Sequence, residues 1–424
     1  ILTNNTTTAS IDKIAKTDPL AICVSTTMIT KKQQLKTIVE KIRSVMPDTP
    51  LIIGGTYIWK SYKFHNFKES DPEIFNSINE YEKKNIFVFP CNKRTINCDI
   101  FIVSPYGGNI LLQVLDELQK GNACNFEHLP NLAIPDRAGS FYFTKRIEEE
   151  VNIENDFTQW NMLDELPNRI SIRSSIGCPY RCKYCDLHHL YPKVNMRSPE
   201  SILKELTLLK RHPSFNKQVL LIHYTDDDIF INKNRIKDIC NVMIKSEIDR
   251  PWGGFVRATS INHNNIDLIK KSKFMFANVG VESGDKDMIE RMNRNQKIDD
   301  IKMGIELLDS AGINANLTFV IGYPGENNKT VDNTINFLNN LNLNTGFTTY
   351  QLIPFYLMPL STVSTLEERK KWMLSGFYDK WLHKTMKVED VSETCYKIFK
   401  HVDNIPYVYV ESFLFNTRFS AQQR

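Results

Sequence analysis

Cys178-Pro-Tyr-Arg-Cys182-Lys-Tyr-Cys185 sets three thiols on one short segment, separated by three and then two residues. It follows the apolar, β-prone run Ile170–Ile176. Iron–sulfur clusters are held by Cys thiolates at close spacing of this kind. A fourth cysteine for a fully protein-ligated cubane is not nearby. Three ligands leave one iron open to bind a substrate or cofactor directly. Two plainer readings compete. A structural zinc site wants four ligands, and His188 or His189 would have to complete it, but zinc sites usually come as paired C-x-x-C units and no second pair follows. Burial in a core is disfavoured by Pro179, Arg181, Lys183 and Asp186, which make this a polar loop.

The 424 residues exceed one average domain and predict two, with a C-terminal appendage. At 42% hydrophobic and 11% aromatic the chain fills ordinary cores, which excludes global disorder. A net charge of +4, from 53 basic against 49 acidic residues, gives no case for nucleic acid or an anionic membrane surface as partner. No apolar run of about 18 residues predicts a membrane span, and no signal peptide is visible. The nine cysteines are odd in number and irregularly spaced outside the loop, which predicts reduced thiols in a cytoplasm. Residue 1 is Ile rather than Met, so natural sequence is expected to precede it.

From residue 170 onward, strand and helix patterns alternate. Strands are predicted at Val219–Tyr224, Trp252–Val256, Phe274–Val279, Asn316–Ile321 and Thr348–Ile353, with helices between them. Ser198-Pro-Glu is a helix start: a capping hydroxyl, a proline at the first position and an acid in the first turn. About six such βα units make a partial barrel, with polar residues at the carboxyl ends of the strands, where barrels put their chemistry. Upstream, strand Leu20–Val24, a helix carrying Leu35, Ile38, Val39 and Ile42, and strand Leu51–Ile53 ending at Gly54-Gly55 describe a doubly wound sheet. A second unit runs from Asp99–Val103 through Ser104-Pro-Tyr-Gly107-Gly108 to helix Ile110–Leu118. The fold class is α/β: a doubly wound, Rossmann/flavodoxin-like domain over 1–130, a linker over 131–169, a partial (β/α)6 TIM-like barrel over 170–362, and a mainly helical extension over 363–424.

The cysteine spacing, with Tyr184 before the last thiol, resembles the signature of the radical S-adenosylmethionine (SAM) superfamily. That resemblance implies a 4Fe–4S cluster on Cys178, Cys182 and Cys185, with SAM's amino and carboxylate groups on the open iron. It implies further SAM contacts one strand end at a time. Asp227 and Asp228 lie where the family contacts the amino group. Arg257 pairs with the carboxylate, a charge-assisted contact. Glu282 and Ser283, in Gly-Val-Glu-Ser-Gly-Asp, stand near the ribose hydroxyls. Gly322, Pro324 and Glu326 belong to the segment that packs near adenine. Plainer roles stand beside these: a solvated face or helix cap for the aspartates, a salt bridge for Arg257.

The N-terminal layout resembles the cobalamin-binding domain that precedes the barrel in one large subgroup. There a serine/threonine segment, here Ser25, Thr26 and Thr27, and glycine segments, here Gly54, Gly55, Ser104, Gly107 and Gly108, line the cofactor. The family's usual first strand is not recognisable, and no D-x-H-x-x-G motif supplies a lower axial ligand to cobalt. Trp381-Leu-His383 resembles the tails of cobalamin-dependent members and makes His383 a catalytic candidate, with a packing histidine as the competing role. The resemblance implies an enzyme that cleaves SAM reductively to a 5′-deoxyadenosyl radical. It then methylates an unactivated carbon, or a phosphinate phosphorus, of a small molecule or peptide, using an electron donor such as flavodoxin or ferredoxin. The alternatives are a cobalamin-using cyclase, rearrangement or oxidation enzyme without methyl transfer, and a non-catalytic cofactor-binding protein. Substrate identity is expected in the C-terminal tail and in Tyr350–Met358.

Overall fold

A computed structural model of the chain describes residues 8–408, apart from 28, 30, 79, 90–94, 122–125, 137, 138 and 404. Cys91, Cys124 and the end of the 363–424 extension, from 409 onward, lie outside the described residues. The chain divides into two units, Ile1–Val151 and Asn152–Arg424.

In the first unit, strands β1 (Ile22–Ser25), β2 (Leu51–Gly54) and β3 (Ile100–Ile102) pair in parallel and in chain order, one βαβαβ half of a wound sheet. Helix α1 (Lys32–Val45) turns Leu35, Ile38, Val39 and Ile42 inward at the 3.6-residue period read from the sequence. Helix α2 (Thr56–Ser70) leads out of β2, and α3 (Gly108–Gln119) follows β3. Ile52, Ile100 and Ile102 of the sheet pack with Ile110 and Val114 of α3 into a buried core. Burying each such side chain is worth about 1.5–3 kcal/mol. The stretch 131–169, expected as a connector, is divided between the units. Strands β4 (Leu132–Pro135) and β5 (Phe141–Phe143) extend the first sheet as an antiparallel edge, and residues 152–169 belong to the second unit.

The second unit holds a six-stranded, all-parallel sheet in sequence order: β6 (Arg169–Ile172), β7 (Leu221–Tyr224), β8 (Trp252–Val256), β9 (Phe274–Glu282), β10 (Asn314–Ile321) and β11 (Thr349–Pro354). Chain order with helical crossovers throughout is a partial (β/α)6 barrel. Ser198 caps helix Pro199–Lys210 by accepting from the Ser201 amide at 3.0 Å. Strand alternation then sorts the side chains. The Tyr224 hydroxyl lies 3.4 Å from the sulfur of Met243 on helix Lys233–Ser246, and Trp252 packs edge-on against Phe274 at 4.8 Å, so these three face the helices. His223, Gly253, Phe255 and Arg257, one residue out of phase, face the lumen. A bulge between Trp252 and Gly253 in the β8–β9 register brings Phe276 to the lumen as well.

The C-terminal extension carries helices Leu366–Trp372 and Val391–His401 around an antiparallel sheet of β12 (Ser375–Phe377), β13 (Lys380–His383) and β14 (Met386–Lys387). Among the described residues no helix is long and apolar enough to cross a membrane.

Gly253 stands hard against Phe276 of the neighbouring strand. A Cβ there would lie 1.9 Å from the Phe276 carbonyl oxygen and 2.5 Å from its ring. Gly253→Ala is expected to destabilise the second unit by about 3 kcal/mol or more, at or beyond the upper end of ordinary overpacking. Chemical denaturation of the two proteins checks this.

Candidate active site

The cysteine loop leaves β6 under a buried carboxylate. Asp226, 1% exposed, accepts from the Ser174 amide at 2.9 Å, the Ser174 hydroxyl at 2.7 Å and the Ser175 hydroxyl. Asp227 continues the clamp by accepting from the Gly177 amide at 3.1 Å, one residue before Cys178. Arg235 donates to the carbonyls of Ser174 and Arg197 from the helix side. Further along, the Lys183 amide donates to the Met292 carbonyl and its own carbonyl accepts from Val363, both at 2.9 Å. The Lys183 ammonium pairs with Glu368 of the C-terminal extension.

The three thiols of this loop are free. Burial pushes Cys178 up to about 11 and Cys185 up to about 12, and each also feels the charge of its fellow cysteines. Among the described residues no three His, Cys, Asp or Glu side chains converge to hold a single metal ion, His188 and His189 included. The fit to a 4Fe–4S cluster rests on the donor set, three thiols on one loop with a cation at hand. That cation is Arg294, which sequence reasoning did not find. Its Nη1 reaches the Cys182 sulfur at 3.7 Å, donates to the Tyr184 hydroxyl at 2.9 Å and lies 3.4 Å from Glu282 Oε1. Its Nη2 donates to the Gly280 carbonyl. Burial opposes the guanidinium charge, but Tyr184, Glu282 and Cys182 outweigh it and hold the Arg294 pKa above its ordinary value. Tyr184 in turn donates to Glu282 at 2.9 Å. The structure therefore gathers Tyr184 and Glu282 around Arg294. Glu282 stands after a bulge with φ of +69°, a strained conformation for a residue with a Cβ.

Two buried polar atoms at neighbouring strand ends have no partner: Asp228 Oδ2 and Arg257 Nη1. The other oxygen of Asp228 accepts from the Phe230 amide at 3.1 Å, and the Arg257 guanidinium lies over the Tyr180 ring at 3.7 Å. Burial pushes Asp228 up to about 6. One unfilled acceptor and one unfilled cationic donor beside the cysteine loop fit an ammonium and a carboxylate on one ligand, the chemistry of SAM's amino-acid end. Ser283 turns instead toward Thr334, 3.4 Å away, and its hydroxyl accepts from the Asp285 amide.

The segment Gly322–Glu326 closes on itself. Gly322, at φ +93°, donates its amide to Glu326, which burial pushes up to about 7. Pro324 lies within this turn. His383 sits behind it, 4% exposed, with Nε2 3.0 Å from the Gly322 carbonyl and Nδ1 3.0 Å from the Thr385 hydroxyl, its ring stacked on Trp381. Both its nitrogens are engaged by the protein itself.

In the first unit, six of the eight residues expected to hold cobalamin line one cleft of about 330 Å³: Ser25, Gly54, Gly55, Ser104, Gly107 and Gly108. The cleft lies beyond the carboxyl ends of β1–β3, where wound sheets bind ligands. Thr26 is buried beneath it, donating to the Gly54 carbonyl at 2.8 Å, and Thr27 bonds Ser25 at 3.1 Å. Gly55 is required for its φ of +102°, and a Cβ there would sit 2.9 Å from the Thr26 nitrogen.

Two predictions follow from these contacts. Arg294→Met leaves Glu282 buried without its cation and is expected to cost about 3–5 kcal/mol. Glu282→Gln in the same background restores part of that loss, as a double-mutant cycle by denaturation would read. Glu326 titrates higher in the folded chain than the ordinary 4.5, so the folded state holds its proton more tightly. Its contribution is present below about 4.5 and is lost as pH rises through about 7. Glu326→Gln is therefore expected to stabilise the protein at pH 8 by roughly 2–3 kcal/mol and by little at pH 4.5. Melting curves across that range check it.

The Radical SAM superfamily profile matches residues 172–338. The anaerobic magnesium-protoporphyrin IX monomethyl ester cyclase of Rubrivivax gelatinosus is 22% identical over 313 residues, covering 70% of this chain and 54% of that protein. An uncharacterized methyltransferase of Pyrococcus horikoshii is 27% identical over 178 residues, 41% of this chain and 37% of its own length. The chain thus spans about half or less of these relatives. Among solved structures, the radical SAM methyltransferase TsrM from Kitasatospora setae, with cobalamin and a [4Fe-4S] cluster bound, aligns with a TM-score of 0.65 at 13% identity, covering 96% of this chain and 84% of that one. The cobalamin-dependent SAM radical enzyme OxsB aligns at 0.58 and 16% identity, covering 96% and 52%. These structural likenesses show the fold. The profile match takes in the cysteine loop, the last residue of β6 and the whole of β7 to β10, so over residues 172–338 the chain is similar to the radical SAM superfamily.

Proposed function

We propose that this radical SAM enzyme also binds cobalamin, in the cleft of its first unit, and methylates an unactivated position of a small molecule or peptide. The observation that carries the reading is the convergence of Ser25, Gly54, Gly55, Ser104, Gly107 and Gly108 on one cleft. When bound, the cluster supplies an electron to SAM's sulfonium and cobalamin carries a methyl group, chemistry no side chain offers. The protein's own work is to hold and orient. Asp226 and Asp227 fix the start of the cysteine loop. Arg294 supports Cys182, and Asp228 with Arg257 offers an acceptor and a donor to an amino-acid group. Glycines at the cleft let a broad ligand approach backbone rather than side chains. A small-molecule substrate is in keeping with TsrM, whose structure has been solved with tryptophan.

The cyclase relative favours a second reading, radical chemistry without methyl transfer. Products separate the two. Full-length protein, reconstituted without oxygen with iron, sulfide and cobalamin, is given SAM and a reductant. With no methyl acceptor added, methylation of the bound cobalamin predicts S-adenosylhomocysteine rising to one equivalent per cobalamin and stopping there, together with 5′-deoxyadenosine. 5′-Deoxyadenosine alone would favour the second reading, and neither product would sink both. Gly108 faces open space, so Gly108→Trp is expected to leave the melting temperature unchanged while weakening cobalamin binding at least tenfold.

A further inference from the structure

His223 is an anomaly on the lumen face of the barrel. It is 5% exposed, and neither ring nitrogen has a partner. Buried polar groups are almost always hydrogen-bonded, and an unsatisfied one costs about 1–3 kcal/mol. Burial and the charge of Arg169 push its pKa down to about 4, so at neutral pH the ring is uncharged, with one N–H to give and one lone pair to fill. Its neighbours are aromatic. Phe276 lies parallel to it, 8° between planes and 6.1 Å between centroids, and Phe255 stands edge-on at 6.0 Å. Gly253, between them on β8, has no Cβ to obstruct the Phe276 ring.

Phe255 is 45% exposed although its strand lies inside the six-stranded sheet. The lumen is therefore open at Phe255. Phe255 and Arg257 are two residues apart on one strand and project to the same side, about 6–7 Å from each other. In register with Phe255 come Asn278, Asn316 and Thr349. Asn316 bonds Gln351 at 3.0 Å and Thr349 at 3.2 Å, so these groups form an uncharged wall occupied with itself. The level directly below Arg257 thus offers an open aromatic face, a neutral wall and an imidazole short of both its hydrogen bonds.

We infer that His223, Phe255 and Phe276 form the seat of the substrate, and that the substrate presents a flat, uncharged ring with a hydrogen-bonding edge. The ring would stack on Phe255 below Arg257, whose Nη1 is unpartnered, with its polar edge on the His223 nitrogens. The inference rests on the proposed function in taking the strand ends beside Arg257 as the SAM site. It explains why a neutral histidine is buried without partners there, and why the glycine beside it is required.

Indole is a suitable probe, flat and neutral with one N–H, and cyclohexanol is its non-planar control. Calorimetry on the reconstituted full-length protein is expected to show indole binding and no cyclohexanol binding. Phe255→Ala and His223→Phe should each weaken indole binding at least tenfold. Phe255 is half exposed, so its variant should keep the wild-type melting temperature, and that temperature reports whether each variant is folded. Undetectable indole binding by the wild type, equal affinity in a folded Phe255→Ala, or equal binding of cyclohexanol would each overturn the assignment. Indole binding is read whether or not SAM is cleaved, so failure of the seat and failure of the functional reading are distinguishable.

Discussion

Asp226 accepts hydrogen bonds from one amide and two hydroxyls at the point where β6 gives way to the cysteine loop. Burial alone raises its pKa, and those three bonds, with Arg235 nearby, act to keep it charged. Removing a carboxylate from water costs several kcal/mol, recovered only when its lone pairs are filled this completely. The clamp therefore works in one geometry. Ser174, Ser175 and, through Asp227, Gly177 are placed by the strand end of β7 rather than by the loop itself. A loop carrying three thiols has little apolar surface with which to fix its own path, so its position is borrowed from its neighbours.

The same logic separates groups that hold the site together from groups held open for something else. Arg294 spends both terminal nitrogens on Cys182, Tyr184, Glu282 and Gly280, its buried Nε having no partner, and His383 spends both ring nitrogens on Gly322 and Thr385. These side chains position backbone and neighbouring side chains. Asp228, Arg257 and His223 keep unfilled valences in places water scarcely reaches. A chain that leaves buried polar atoms unsatisfied sacrifices stability at each one. At Asp228, Arg257 and His223 a bound ligand would supply the missing partner.

Much of this was legible in the sequence. Trp252–Val256 and the helix carrying Leu35, Ile38, Val39 and Ile42 fall where their periodicities put them, because strand and helix each have a core to face. The three cysteines and the polar strand ends were visible for the same reason: loop chemistry interrupts an apolar pattern. Arg294 was not, since it lies 112 residues from Cys182 and only the fold brings them together. His223 was hidden within Leu-Ile-His-Tyr, where it reads as one more strand residue. Helix α2 was missed because its large apolar and aromatic residues ring the helix rather than form a stripe: Tyr57, Ile58, Trp59, Tyr62 and Phe64 are all buried. The antiparallel sheet at 375–387 was obscured by its charge, although Lys380–His383 alternates exposed and buried at period two.

The cleft of the first unit solves the problem of ligand approach differently from the barrel. Its walls carry few polar side chains: glycines and short hydroxyls stand beside Tyr106 and Pro105, with the apolar Val24, Ile52, Ile102 and Leu111. Gly55 and Gly107 both sit at positive φ, immediately before helices α2 and α3. Each therefore turns the chain sharply from a strand region into a helix and leaves no Cβ in the opening. Such a surface recognises shape and offers backbone amides, whereas the barrel mouth recognises charge. A broad ligand with an apolar face suits the cleft, and a small zwitterion suits the mouth. The two units therefore differ in kind as binding sites, and this difference can be read from which atoms each leaves uncovered.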